Sequence, residues 1–219
     1  MKAMVLAAGR GERMRPLTDR TPKPLLEVRG KPLIVWHLEA LARCGVREVV
    51  VNIAWLGAQI RAALGSGARF GVDLHFSEEP EGALETGGGI YHALPLLGPA
   101  PFLVVNGDTF TVMDFGTLRI ASHSLAHLAL VPNPPQHPQG DFAVLEGDVL
   151  EEGAARYTYS GIGIYRPEFF AGSVAGRFPL LPLLRQASAA RRLQGEVFHG
   201  AWSDVGTVAR LAALNAAPP

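Results

Sequence analysis

The chain has one cysteine, Cys44, in 219 residues. One thiol cannot build a disulfide framework, and a reducing, cytoplasmic setting fits. Between Arg43 and Gly45, on an expected helix, Cys44 reads as a small half-buried hydrophobe rather than a nucleophile. A charge excess is missing too, since Lys+Arg and Asp+Glu both number 20. That argues against nucleic acid and anionic membrane as partners, because both favour a basic surplus. The N-terminal apolar run stops at Gly9, so neither a signal peptide nor a transmembrane span is expected. His37, His75, His92, His123, His127, His137 and His199 show no metal-ligand spacing, and no Gly-x-Ser-x-Gly occurs. There are no repeats and no long linker, which predicts one domain over 1–219.

What is present concentrates near the start. A buried strand, Met4 to Leu6, runs into Ala7-Ala8-Gly9-Arg10-Gly11-Glu12-Arg13-Met14-Arg15-Pro16, and the segment closes in Pro22-Lys23-Pro24-Leu25. Small residues let backbone N–H groups approach an anion, and the arginines and lysine neutralise it. The loop is not a Walker loop, because Gly-Lys-[Ser/Thr] is absent. Nor is it a dinucleotide fingerprint, because Met14 stands at the third glycine position.

Hydrophobic periodicity then alternates between elements. It predicts a helix opened near Pro32 and ended by Gly45, a strand over 48–53, a helix over 56–64 and a strand over 72–76. A polar turn spans 77–83, and a helix starts at Glu85 or Thr86 and runs to about Leu94. Phe102 to Val105 is expected to be a central strand. Shorter expectations are a helix over 115–122, a strand over 125–131, a hairpin over 141–151 and a long strand over 157–165. After these come a helix over 178–190, a last hairpin pairing 197–199 with 201–202, and a C-terminal helix from about Val208. The fold class is α/β: a Rossmann-like, mostly parallel mixed sheet flanked by helices. A small antiparallel lobe, roughly 132–166, is expected to lie across it.

Two acids complete a phosphate site. Asp108 follows Val104-Val105-Asn106-Gly107 at the end of the central strand, the edge to which the opening loop also belongs. Asp204, in Trp202-Ser203-Asp204-Val205-Gly206-Thr207, lies between a short strand and a helix. Mg²⁺ is bound through one or two carboxylates plus substrate phosphates, and this pair suits it. Asp114 and Asp141 are candidates for a second metal or for ligand hydroxyls. Gly87-Gly88-Gly89 at a helix start permits close approach of a flat ring, or else close helix packing.

Together these segments resemble the sugar-1-phosphate nucleotidyltransferases. Within that family the finer resemblance is to the branch that uridylylates N-acetylmuramic acid 1-phosphate in cell-wall recycling. It rests on Asn52-Ile53-Ala54-Trp55-Leu56-Gly57, Leu84 to Ile90, Gly140-Asp141-Phe142 and Tyr159-Ser160-Gly161-Ile162. The resemblance implies transfer of a nucleotidyl group, from UTP by the finer match, to a sugar 1-phosphate, with mannose-1-phosphate guanylylation as the alternative. It implies that Ala7, Ala8, Gly9 and Gly11 hold base and phosphates, with Glu79 and Gly87 beside the base. Arg15 and Lys23 would be the catalytic cations, and Asp108 and Asp204 the Mg²⁺ ligands. Asn106, Gly140, Asp141 and Ser160 would face the sugar. Small-molecule substrates, a cytoplasmic location and a monomer or homodimer follow from the same resemblance.

Overall fold

Strict alternation sends Ala3 and Val5 to one face of the first strand and Met4 to the other, and all three are fully buried. A strand buried on both faces needs helices on both sides. The computed structural model describes residues 1–80 and 84–216. In chain order it gives β1 (Ala3–Leu6), three short 3-10 turns, β2 (Glu27–Val28), β3 (Lys31–Pro32), α1 (Leu33–Arg43) and β4 (Glu48–Ile53). Next come α2 (Gly57–Leu64), β5 (Asp73–Glu78), α3 (Glu85–Leu97), β6 (Phe102–Asn106), β7 (Thr109–Thr111) and β8 (Ala126–Val131). The chain ends in β9 (Phe142–Leu145), β10 (Asp148–Leu150), β11 (Arg156–Tyr165), α4 (Leu181–Ala189), β12 (Leu193–Val197), β13 (Trp202–Asp204) and α5 (Val208–Ala216). The end of the expected polar turn, 81–83, lies outside the described residues.

The main sheet has the order β5-β4-β1-β6-β11-β8-β12-β10-β9. β5, β4, β1 and β6 are parallel, and β11 is antiparallel to both β6 and β8. α1 and α2 cover one face through Ile34, Leu38, Leu41, Ile60 and Leu64. α3 and α4 cover the other through Ile90, Ala93, Leu97, Leu184 and Ala187. This is the mixed α/β fold expected. The antiparallel strands do not lie across the parallel ones; they continue the same sheet. β9 also pairs with the start of β11, so β11, β8, β12, β10 and β9 form a closed ring of pairings.

A bulge between Tyr159 and Ile162 bends β11 and makes this possible. Ser160 fixes the bulge, donating from Oγ to the Ala129 carbonyl at 2.6 Å and accepting from the Ile162 N–H at 3.2 Å. Gly161 adopts φ +80°, and its bare Cα faces the Asn106 amide.

Two local expectations are corrected. Over 115–122 only a 3-10 turn forms, Phe115–Thr117: Asp114 caps its start by accepting the Gly116 N–H at 2.9 Å, and the backbone turns extended at Leu118, ψ 135°. The hairpin expected over 197–202 is absent. Leu193–Val197 instead runs parallel to β8, and Trp202–Asp204 pairs with Thr109–Thr111. Strand 193–197 hides in the sequence because only Leu193 and Gly195 turn inward. Among the described residues no helix is long and apolar enough to cross a membrane.

Gly161→Ala is expected to lower unfolding free energy by about 1–3 kcal/mol, combining a disfavoured φ with a clash against Asn106. Guanidinium denaturation at pH 7 checks this, and a midpoint equal to wild type contradicts the role given to the bulge.

Candidate active site

β1 pairs with β4 on one side and β6 on the other, and α1 and α3 pack on opposite faces. The connections therefore diverge at the carboxyl ends of β1 and β6, where ligands of such sheets collect. A cleft of about 340 Å³ opens there, walled by Leu6 to Gly9, Gly11 to Met14, Lys23, Asn52, Glu85, Thr86, Asn106, Asp108 and Gly206, among others.

Leu6 is opposite Asn52 in one ladder and Asn106 in the other. Asn52 is buried, so its amide needs partners. Its Oδ1 accepts the Ala7 N–H at 2.6 Å, and its Nδ2 donates to Glu79 Oε1 at 2.6 Å. Glu79, 9% exposed, accepts the Leu84 N–H on Oε2 at 2.7 Å. Glu79 thus supports the loop through Asn52, and the Ala7 N–H is already engaged. Asn52 stands out in sequence as the polar residue late in the apolar run Val49-Val50-Val51-Asn52-Ile53; the resemblance uses it without giving it a role.

The loop turns at Gly11, whose φ of +70° and 2.9 Å approach to Thr18 Cγ2 (for any added Cβ) leave room for glycine alone. Thr18 Oγ1 donates to the Gly11 carbonyl at 2.9 Å, and Trp55 Nε1 donates to the Thr18 carbonyl at 3.0 Å. Arg10 lies 4.4 Å over the Trp55 ring. Arg15 is turned away from the cleft, with Nε 2.7 Å from Asp19 and Nη1 3.5 Å from Glu12. The Asp19 hydrogen bond, with its charge and that of Glu12, raises the Arg15 pKa further. Arg13 lines the cleft, and among the described residues no carboxylate is paired with it. The motif reading chose Arg15; both arginines flank buried Met14, and only the turn geometry separates them.

Lys23, 8% exposed, lies 2.6 Å from Asp108. β13 runs antiparallel to β7, with Asp204 opposite Thr109, and the Val205 N–H donates to the Asp108 carbonyl at 2.8 Å. The two acids, nearly a hundred residues apart, are thereby brought onto adjoining backbone segments. Asp204 Oδ1 accepts from Gln136 Nε2 at 2.7 Å, and Oδ2 is ion-paired with Arg210. Behind Asp108, His37 is 1% exposed, and its Nε2 has no hydrogen-bond partner among the described residues. Burial pushes the His37 pKa down to about 4, against the opposing pull of the Thr109 backbone and the Asp108 charge.

Around the expected sugar side, Asp141 Oδ2 accepts the Tyr159 N–H at 2.8 Å, and Oδ1 lies 2.9 Å from His137 Nε2. Gly140 packs against Asn133, which closes the proline-rich loop of 133–140 on Pro138 and ties it to Arg156 and Thr158. The Ser160 hydroxyl is committed to the bulge, while the Asn106 side chain packs on Gly161. Gly87 faces the Phe178 ring, at 2.6 Å for any added Cβ, and Gly88 donates its N–H to the Phe178 carbonyl at 3.0 Å. Their neighbours Glu85 and Thr86 line the cleft instead. Asp114 is engaged as a turn cap.

A parallel sheet with a glycine-rich cationic loop and two acids at its switch point defines a nucleotide-handling α/β protein. The nucleotidyl transferase family model matches residues 2–158, and the chain belongs to that family: it is a nucleotidyltransferase. It is 56% identical to the N-acetylmuramate alpha-1-phosphate uridylyltransferase of Neisseria meningitidis serogroup B, over 96% of this chain and 95% of that one. The enzyme of the same name from Caulobacter vibrioides is 38% identical, over 93% and 91%. A solved Bacillus anthracis structure, classed with the glucose-1-phosphate thymidylyltransferases, has the same fold, with a TM-score of 0.87, 22% identity and coverage of 99% and 94%.

The lowered His37 pKa gives a stability test. A neutral native histidine binds fewer protons than its unfolded counterpart between pH 6.5 and about 4, so its contribution is full above 6.5 and is lost as pH falls through that window. From pH 7 to 5 the wild type should lose about 2 kcal/mol more than His37→Gln, read from denaturant midpoints at both pH values. Equal losses would remove the buried neutral imidazole from the account.

Proposed function

We propose that this chain transfers the uridylyl group of UTP to N-acetylmuramic acid 1-phosphate, forming the UDP-sugar and pyrophosphate, in the cytoplasm and in cell-wall recycling. The observation that carries it is the ion pair of Lys23 and Asp108, 2.6 Å apart at the mouth of the glycine-rich loop, with Asp204 on the adjoining strand. Identity along almost the whole length of two relatives supports the choice of base and sugar.

The sugar phosphate oxygen attacks the α-phosphorus in line, the bond to the β-phosphate oxygen breaks, and pyrophosphate leaves. The nucleophile is already anionic at neutral pH, so no general base is needed. The protein must hold two polyanions together and neutralise charge where it develops. Ala8, Gly9 and Gly11 bring backbone to the nucleotide. Lys23 faces the reacting phosphoryl oxygens. Arg13, in the cleft wall and paired with no carboxylate among the described residues, takes the departing phosphates, while Arg15 braces the loop through Asp19 and Glu12.

Asp108 and Asp204 fit a hard cation: both offer oxygen, and among the described residues no group of three His, Cys, Asp or Glu converges, so phosphates would complete the shell. Mg²⁺ held there would supply positive charge to the phosphoryl oxygens. Asp141, in the lobe of roughly 132–166, and the Asn106 amide, at the end of β6, face the sugar. Gly140 and Ser160 shape that wall rather than reach into it.

Pyrophosphate release across five NTPs and several sugar 1-phosphates tests the reading. The highest rate is expected for UTP with N-acetylmuramic acid 1-phosphate, and a preference for GTP with mannose 1-phosphate overturns it. Asp108→Asn and Lys23→Ala should each lose roughly a hundredfold or more in turnover. Arg13→Ala should lose at least about tenfold in kcat/KM for UTP, and Arg15→Ala no more than about threefold. The reverse order of the two arginines would return the phosphate role to Arg15.

A further inference from the structure

Asp108 and Asp204 each carry a resident cation. Asp108 has Lys23, which belongs to the loop segment. Asp204 has Arg210, which no part of the mechanism above employs. Arg210 sits in the first turn of α5, and its reach is constrained. Its own N–H and Nε lie 3.3 and 3.4 Å from Thr207 Oγ1, and Nη1 also lies 3.4 Å from the Asp204 carbonyl. The guanidinium packs over Gly206, where any Cβ would meet Nη2 at 3.1 Å. Gly206 is itself part of the cleft wall. The other Asp204 oxygen is taken by Gln136 from the proline-rich loop. Each carboxylate oxygen of Asp204 thus already has a donor, and a cation approaching Oδ2 must compete with the Arg210 charge.

We propose that Arg210 is a positioning residue, the built-in counter-ion of Asp204, which holds the carboxylate until a metal–nucleotide complex displaces it. The proposal rests on the assignment of Asp108 and Asp204 as cation ligands. Two acids on adjoining backbone segments repel when unpaired, and a guanidinium fixed by Thr207 and Gly206 suppresses that repulsion in the free protein. Arginine stays charged at any working pH, so its competition with a divalent cation is constant. The side chains of the pair are 23% and 28% exposed, so salt screens them only in part, and they stand beside Gly206 of the cleft wall. Once displaced, the guanidinium remains beside Gly206, where phosphate charge takes the place of Asp204. The free protein thus binds divalent cation weakly, and binds it best as the nucleotide complex.

Binding of Mn²⁺ alone to the full chain, followed by loss of the free-ion EPR signal, tests this without turnover. Arg210→Gln is expected to bind Mn²⁺ roughly fivefold more tightly than wild type, and Arg210→Lys to stay close to wild type. An arginine that only orients Asp204 would give the opposite sign, weaker binding on its removal. Should the glutamine variant melt early, Arg210→Met keeps the aliphatic stem and is expected to shift in the same direction. Unchanged or weaker Mn²⁺ binding in a folded neutral variant overturns the proposal alone. Asp204→Asn should bind Mn²⁺ more weakly than wild type. If it binds as wild type does, the metal assignment falls and this proposal with it.

Discussion

The amide of Asn52 is buried at the end of β4, and there is one way to satisfy it. Its oxygen takes the Ala7 N–H and its nitrogen gives to Glu79, which in turn takes the Leu84 N–H. A buried polar chain of this kind is worth having only when every member is paired, and then it selects one arrangement over its near neighbours. Here it fixes where the phosphate loop leaves the sheet and where the segment before α3 returns. Removing the amide would strand a buried carboxylate, the costly case, rather than merely lose a contact. The small residues that follow Ala7 owe their position to this bridge, and the cleft owes its floor to them.

A second, smaller core holds the opposite wall. Met14 of the loop, Val28 and Leu33 near α1, Phe110 of β7, Val205 and Leu211 of α5 pack as one cluster apart from the two main layers. Trp36 lies edge-on to Phe110 at 5.4 Å and donates from Nε1 to the Val28 carbonyl. Asn215, near the end of α5, donates to the Glu27 carbonyl and accepts the Arg29 N–H. The last helix therefore reaches back to the first fifth of the chain. Segments of the loop, β7 and the start of α5 meet in this cluster. Acids far apart in sequence can share one site because apolar burial, not ionic attraction, brings their segments together.

Much of this was legible because buried parallel strands write themselves as continuous apolar runs. Val49 to Val51 and Phe102 to Val105 leave no other assignment, and Asp108, just past the second, shares an edge with the opening loop by topology alone. The misses have physical causes. β7 and β13 are three residues each and carry Thr109, Thr111 and Ser203, too short and polar to show a period. Gly87 faces Phe178, a partner some ninety positions away, so whether the triplet served a ring or a packing contact was tertiary information. Arg13 and Arg15 have equal standing in the motif. The spacing of Arg15 to Asp19 was the available hint that one of them was already engaged.

The ring of pairings at the antiparallel end has a bearing on how this protein behaves in a crowded solution. A sheet's last strand offers unpaired backbone groups to any passing chain. Here β9 bonds β10 on one side and β11 on the other, so that end presents no open ladder. The other end cannot close, and among the described residues β5 is paired with β4 alone. Its ends are Asp73 and Glu78, both exposed, with His75 between them. One boundary of the sheet is thus protected by geometry and the other by charge, and self-templated stacking is discouraged at each by a different means.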